Sequence, residues 1–495
     1  MQLSGKVESC WVANAPETHY PRYEQSDRCD VAIVGGGIVG LTSAWLLSKA
    51  GYAVTVLEAR KIGQQVTGRS TAKITAQHSL IYSHLIETLG LERARLYGEA
   101  NHCGVELIVA LATQLDIACD LERKNAYAYT HEPRRMTAIE AEADAARSLG
   151  FDARVVAPAP LPFATAGALE FTHQAQFNPA QYLVGLAAAI VDNGGRIFEN
   201  TRVEDVERGS NRWRVKAGRH RLDTEAVVVA TNVAMWTPSE LDVTLRPRCH
   251  TAMAFRATDS RAVDGVFIDI DQPSHSIRMG RDREGPLLIV LGPSFTTGND
   301  GDVARRFLDL EAWVRANIPA GDVVWRWVNE DYDSPDRVPF AGDLSRKAPG
   351  MYVATGFNGW GISNGTAAAM LIADQIQDID NPWRSLYNPS RRVPKDFNRG
   401  GDTQSIVRAL EDIKPGAGGV IEHGKQKIAV WRDTQGNPHA LSASCTHMGC
   451  TVTWNNADLT WDCPCHGSMF TREGQVIHGP AAEALKPARI PGNDD

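Results

Sequence analysis

Gly35-Gly36-Gly37-Ile38-Val39-Gly40 lies between an apolar run, 30–34, and an apolar helical pattern that closes at Gly51. A second apolar run, 53–57, follows and ends at Glu58. That order dictates a strand, a tight turn, a helix and a parallel strand. Each glycine of the G-x-G-x-x-G spacing has its own reason. The first allows the sharp turn, the second lets backbone approach a pyrophosphate, and the third lets helix and strand pack closely. The helix N-terminus turns its positive end to the phosphates. Glu58, 23 residues after Gly35, stands where a carboxylate accepts hydrogen bonds from ribose hydroxyls. The glycines alone are a weak signal. With both strands, the helix and the acid they point to a dinucleotide.

Further α/β pieces are scattered along the chain. A helix pattern over 176–193 leads to a strand at 196–198. Apolar strands at 227–230 and 351–355 run into Thr231-Asn232 and into a glycine-rich turn, 356–361, before a helix over about 363–377. The intervening stretches are too long for simple loops. The expected fold is an α/β Rossmann-like nucleotide domain, discontinuous over 28–80, 176–238 and 346–380. An α+β substrate domain, 81–175 and 239–345, is threaded through it. Residues 381–401, rich in Pro, Arg, Asn and Gly, read as a linker. The remainder, 402–495, shows short segments split by Gly and Asn turns and reads as a small all-β domain. A length of 495 residues suits about three such units.

Four of the nine cysteines fall between Cys445 and Cys465. Even scatter would put fewer than one there, so the cluster has a local chemical cause. Cys445-x-His447 is followed, after 15 intervening residues, by Cys463-x-x-His466. Two thiolates and two imidazoles on two loops suit tetrahedral zinc, and they suit an iron-sulfur cluster as well.

Resemblance sharpens both sites. The segment 31–58 resembles the flavin-binding opening of the D-amino-acid-oxidase-like family, which includes glycine, sarcosine and γ-glutamylputrescine oxidases. Gly68-Arg69-Ser70-Thr71-Ala72 resembles that family's loop running past the pyrophosphate. Val228-Val229-Ala230-Thr231-Asn232 resembles its second nucleotide-side strand. Gly356-Phe357-Asn358-Gly359-Trp360-Gly361-Ile362 resembles its terminal turn, although the family often has His where Trp360 stands. The resemblance implies FAD, held by Gly35, Gly37, Ile38, Val39, Gly40, Glu58, Ala59, Arg60, Arg69, Ser70, Thr71, Ala72, Val203, Ala230, Thr231, Gly356, Asn358, Gly359, Gly361 and Ile362. Only one fingerprint of this kind is present. Electrons are therefore expected from an organic substrate rather than from a nicotinamide.

Cys445-Thr446-His447-Met448-Gly449-Cys450 and Cys463-Pro464-Cys465-His466-Gly467-Ser468 resemble the two loops of Rieske [2Fe–2S] proteins. That resemblance implies Cys445 and Cys463 on one iron, His447 and His466 on the other, and a Cys450–Cys465 bridge between the loops. Neutral imidazoles leave less negative charge on the cluster than thiolates would, which raises its potential. Ser468 is placed to donate to a cluster sulfur. Phe470 stands where many high-potential relatives carry Tyr, so a middling potential is expected.

Together the two sites suggest flavin-dependent oxidation of an amine or N-alkyl amino acid, with electrons leaving singly through the cluster. The acceptor would be oxygen, a ferredoxin-like protein or an oxygenase. The alternatives are an electron-transfer component serving a partner protein, and an oxygen-using amine oxidase with a structural or sensory Rieske domain. Trp325, Trp327, Tyr332 and Trp360 are candidates for an aromatic wall around a cationic amine. Arg246, Arg248 and Arg326 are candidates for a substrate carboxylate, and His250, His78 and Cys249 for contact with the flavin. Trp360, His250, Trp327 and Arg248 head the catalytic candidates. In 331–342, Asp336 and Pro339 read as structural. A net charge of −8 argues against a nucleic-acid binder. The most apolar run, 182–191, is too short to span a bilayer. Met1 to Cys29, interrupted by Glu8, Glu17, Glu24 and Asp27, shows no signal-peptide pattern, so a cytoplasmic protein is expected.

Overall fold

The computed structural model describes residues 3–236, 241–259, 261–299, 301–344, 348–394 and 406–490, without the side chains of 242 and 243. One large sheet has the path Phe340–Asp343, Met351–Thr355, His220–Val229, Asp27–Val34, Val54–Leu57, Arg196–Phe198. From Met351–Thr355 onward the neighbours are parallel. Strands covered on both faces need continuous apolar runs, and Val31, Ile33, Val54 and Val56 are buried accordingly. Three helices accompany this sheet: Ile38–Lys49, Pro179–Asp192 and Gly361–Ile376. The middle one starts three residues later than the sequence pattern implied, because Gln176 ends a strand and Asn178 caps the helix by accepting from Ala180 N and Gln181 N.

The turn after the first of these strands is built on glycine. Gly35 has φ +111°, and a Cβ there would lie 2.5 Å from the Ala230 carbonyl oxygen. A Cβ on Gly40 would lie 1.9 Å from the Gly35 carbonyl oxygen. Helix and strand can close only without those methylenes.

The second large sheet has ten strands. Its path is Lys6–Val7, Ala320–Asp333, Arg246–Ala257, Gly285–Thr296, Ser276–Asp282, Val266–Asp269, Glu122–Thr130, Gly167–Gln176, Lys73–Ile74, with Ala153–Val156 paired to Gly167–Gln176. Two strands fall outside the limits drawn from sequence. Lys73–Ile74, assigned to 28–80, pairs in this ten-stranded sheet. Phe340–Asp343, assigned to 239–345, pairs with Met351–Thr355 in the parallel sheet. Short crossing strands carry too few residues for a period to show.

The stretch 381–401 is not a bare connector over its described part, 381–394. Trp383, Leu386 and Tyr387 are buried in the main core. Arg391 binds both oxygens of Asp336 at 2.8 Å and donates to the Pro339 carbonyl at 2.9 Å, which gives those two residues their structural role. Three prolines made the stretch look irregular, and a few apolar residues at packing spacing suffice to anchor it. Residues 395–401 lie outside the described residues.

The C-terminal domain holds two four-stranded sheets. One is Ile406–Val407, Gly418–His423, Gln426–Arg432 and Pro438–Ser442. The other is Thr453–Asn455, Thr460–Asp462, Met469–Thr471 and Val476–His478. Among the described residues, no helix is long and apolar enough to cross a membrane.

Candidate functional site

A cleft is lined by both large sheets and by Ile477, His478 and Gly479 of the C-terminal domain. Of the residues expected around FAD, Gly35, Gly37, Ile38, Val39, Glu58, Ala59, Arg60, Ser70, Thr71, Ala72, Val203, Ala230, Thr231, Gly359, Gly361 and Ile362 line it. Gly40 instead closes the helix onto the turn. Gly356 (φ +75°) and Asn358 (φ +57°) shape the terminal turn, with the Asn358 amide donating to the Gly356 carbonyl at 2.8 Å. Arg69 points elsewhere, donating to the Val328 carbonyl at 3.4 Å.

The cleft has the electrostatics of an anion site. Arg60 is lowered by burial and then by Arg69 and Arg202, and Arg202 is lowered by burial. Clustered guanidiniums with little counter-charge suit a pyrophosphate. Glu58 accepts from Gly36 N at 2.7 Å and Arg60 N at 2.8 Å, and burial raises its pKa. Asn232 Nδ2 and Asn329 Oδ1 are buried at the cleft with no hydrogen-bond partner among the described residues. A Cβ on Gly37 would meet nothing closer than Thr67 Oγ1 at 3.2 Å, so that backbone is open to a ligand. These features fit FAD.

The substrate candidates divide. His250 and Trp360 line the cleft. His250 Nδ1 lies 3.1 Å from the Gly292 carbonyl, and burial first, then Arg248, push its pKa down to about 3. It is neutral there and no proton donor near pH 7. Trp360 stacks on His78, centroids 4.7 Å apart. Asp331 also lines the cleft, accepts from Gly359 N, and is pushed up to about 6 by burial.

The other candidates do not reach the cleft. Trp327 is fully buried and donates to the Arg69 carbonyl at 2.7 Å. Trp325 donates to Asp282 at 3.4 Å. Arg248 pairs with Asp333 at 2.9 Å, Arg246 with Thr296 Oγ1 at 3.3 Å, and Arg326 lies over Phe307. Cys249 is buried beside Thr297 Oγ1 at 3.2 Å. His78 is held in the core by Tyr97, Thr75 and Ser363. The strand 320–333 is buried along both faces, so no alternation told which aromatics face a ligand. Lys73, Arg202, Asn329 and His478 were missed because each comes from a different, distant segment.

In the C-terminal domain the four expected ligands converge. Cys445 and Cys463 are within hydrogen-bonding reach of each other, and the rings of His447 and His466 lie 4.9 Å apart. Their mutual contact holds the Cys445 thiol low, near 6, and Cys463 high. Two touching thiols share a proton that a bound cation would displace. Cys450 and Cys465 are joined by a disulfide. Cys463 Sγ lies within 4.8 Å of both of those sulfurs. Ser468 Oγ accepts from Ala481 N at 3.1 Å and touches Cys445. Soft thiolates facing imidazoles on two tied loops fit a mixed Cys/His iron-sulfur cluster.

The cluster loops are seated on the strand that lines the cleft. Tyr332 OH donates to the His466 carbonyl at 3.2 Å, and Glu330 Oε2 faces His478 Nε2 at 3.4 Å. Arg202 donates to the Val476 carbonyl at 3.2 Å. A Cβ on Gly467 would meet Glu330 and Tyr332 at 2.6 Å, so only glycine permits this approach.

Fold and sites together define a flavin-dependent oxidoreductase carrying an iron-sulfur module. The chain belongs to the FAD dependent oxidoreductase family, whose model matches residues 30–375. The Rieske [2Fe-2S] domain model matches residues 403–489. The cofactors of these domains are FAD and a [2Fe–2S] cluster. The chain is 32% identical over 494 residues to YhfW, a Rieske 2Fe-2S iron-sulfur protein of Bacillus subtilis, covering 97% of each. It is 23% identical over 393 residues to the gamma-glutamylputrescine oxidoreductase of Escherichia coli, covering 76% of this chain and 90% of that one. Glycine oxidase from Geobacillus kaustophilus superposes with TM-score 0.62 at 19% identity, over 74% of this chain and 100% of that one.

Proposed function

We propose that this protein oxidises an amine or N-alkyl amino acid and delivers the electrons, one at a time, to an external acceptor. When bound, FAD supplies two-electron acceptance from a C–H bond beside nitrogen, and the cluster supplies one-electron transfer. The chain's own residues hold and separate these functions. The glycine turn, Glu58, Arg60 and Arg202 would hold the nucleotide, and Ala72 with 359–362 would hold the flavin end. Cys445, Cys463, His447 and His466 hold the cluster. His250, Leu291, Asn329 and Trp360 wall the substrate side and exclude water from it.

One observation carries the reading. The strand 320–333 contributes Asn329 and Asp331 to the cleft and Tyr332 to the His466 loop. Oxidation and onward transfer are therefore supported by a single rigid element. The amine class rests on the relatives, whose names specify gamma-glutamylputrescine and glycine. The test is an anaerobic screen of amines and amino acids that follows flavin and cluster absorption together. Bleaching of both bands supports the proposal. Bleaching of flavin alone, with peroxide formed in air, favours a plain oxidase. Bleaching of neither by any amine, with fast exchange to a ferredoxin, favours an electron-transfer component.

A further inference from the structure

Like Arg60, Lys61 and Arg202, Lys73 lines the cleft. Its strand belongs to the ten-stranded sheet, and its Nζ donates to Thr71 Oγ1 at 2.8 Å and to Ser276 Oγ. Ser276 registers with Leu291, which also registers with Ala252, while His250 registers with Asn329. Lys73, Leu291, His250 and Asn329 thus border one wall of the cleft, across strands of one sheet, and all four line it. The arginines expected to take a carboxylate are committed elsewhere, as described above.

We propose that Lys73 is the anion-binding residue of the substrate pocket, so that the substrate is an amino acid whose carboxylate pairs with it rather than a simple amine. Lys73 is half-buried, and a lysine partly withdrawn from water favours a counter-charge or the loss of its proton. Among the described residues no carboxylate forms an ion pair with Lys73, whose two partners are hydroxyls. The other charged or titratable groups facing it are Arg278, itself buried, and His250, which is neutral. Burial first, and then Arg278, lower the Lys73 pKa to about 7. An arriving carboxylate supplies the missing charge and restores the proton, while Asn329 Oδ1 stays available to the substrate nitrogen. The inference rests on the amine or amino-acid reading above and narrows it.

The experiment titrates the FAD-loaded protein with acetate and benzoate, and separately with ethylamine, between pH 6 and 9, following the visible flavin band. The expected result is carboxylate binding that weakens about tenfold per pH unit above 7, because only the protonated amine binds. Lys73→Met is expected to weaken it at least tenfold, with FAD content unchanged, and Lys73→Arg to retain it with a flat pH profile. Equal carboxylate affinity in Lys73→Met overturns the proposal. So does the absence of carboxylate binding while ethylamine bleaches the flavin, a result that leaves the amine reading intact. Lys73-dependent carboxylate binding without flavin reduction by any amino acid keeps the subsite and removes the amine reading.

Discussion

The phenol of Tyr332 donates a hydrogen bond to the backbone carbonyl of His466, 3.2 Å away, across the boundary between the oxidoreductase and cluster domains. The neighbouring residue, Asp331, accepts from Gly359 N on the glycine-rich turn that lines the cleft. Two adjacent residues therefore connect both sites. Tyr332→Phe removes one buried hydrogen bond, costing about 1 kcal/mol of docking. We expect slower cluster reduction with flavin reduction unchanged, measured by stopped-flow absorption at the two bands.

The dinucleotide glycines are expected to fail in different ways. Gly40→Ala forces a methyl group to 1.9 Å from the Gly35 carbonyl oxygen, so folding yield should collapse. Gly37→Ala meets only Thr67 Oγ1 at 3.2 Å. That variant should fold and lose FAD affinity, because its methyl group occupies space open to the ligand. Soluble yield and FAD per protein distinguish the two.

The glycine turn and the cysteine-histidine loops were legible in sequence because their chemistry demands fixed spacing within one segment. The cleft's other half was not. Lys73, Arg202, Asn329 and His478 meet only through tertiary structure, and none has a local signature. Trp327 shows the opposite failure. An aromatic on a strand buried on both faces looks the same whether it packs in the core or meets a ligand. The seating of the cluster domain was equally invisible, since Glu330 and His478 face each other only through tertiary structure and neither has a local signature.

Phe470 is fully buried in the same apolar cluster as Cys445 and Cys463. Phe470→Tyr, which installs the residue that many high-potential Rieske relatives carry at this position, is expected to add a hydroxyl donor near the cluster. A hydrogen bond from it to a cluster sulfur stabilises the reduced state by about 1 kcal/mol, about 40 mV for one electron. Redox titration monitored by EPR should show an upward shift. A downward shift would place that ring away from the cluster.

His78 is neutral when folded, because burial pushes its pKa down to about 3 from an ordinary value near 6.5. The unfolded chain binds the extra proton first. The stabilising contribution is therefore complete above pH 6.5 and is lost as pH falls from there towards 3, at up to about 1.4 kcal/mol per pH unit. His78→Gln should flatten this acid limb of the denaturation midpoint against pH. An unchanged limb assigns the loss to other buried histidines, such as His275, pushed down to about 4 by burial.

The central claim is that substrate electrons pass from the flavin site to the cluster within one chain. The direct measurement is anaerobic reduction of the holoprotein by the substrate that the screen selects, with freeze-quench EPR. The account predicts that flavin bleaching is followed by the signal of a reduced Rieske cluster, and that Cys463→Ser keeps the first event and abolishes the second. Flavin bleaching in the wild-type protein with the cluster still oxidised after many turnover times would contradict it.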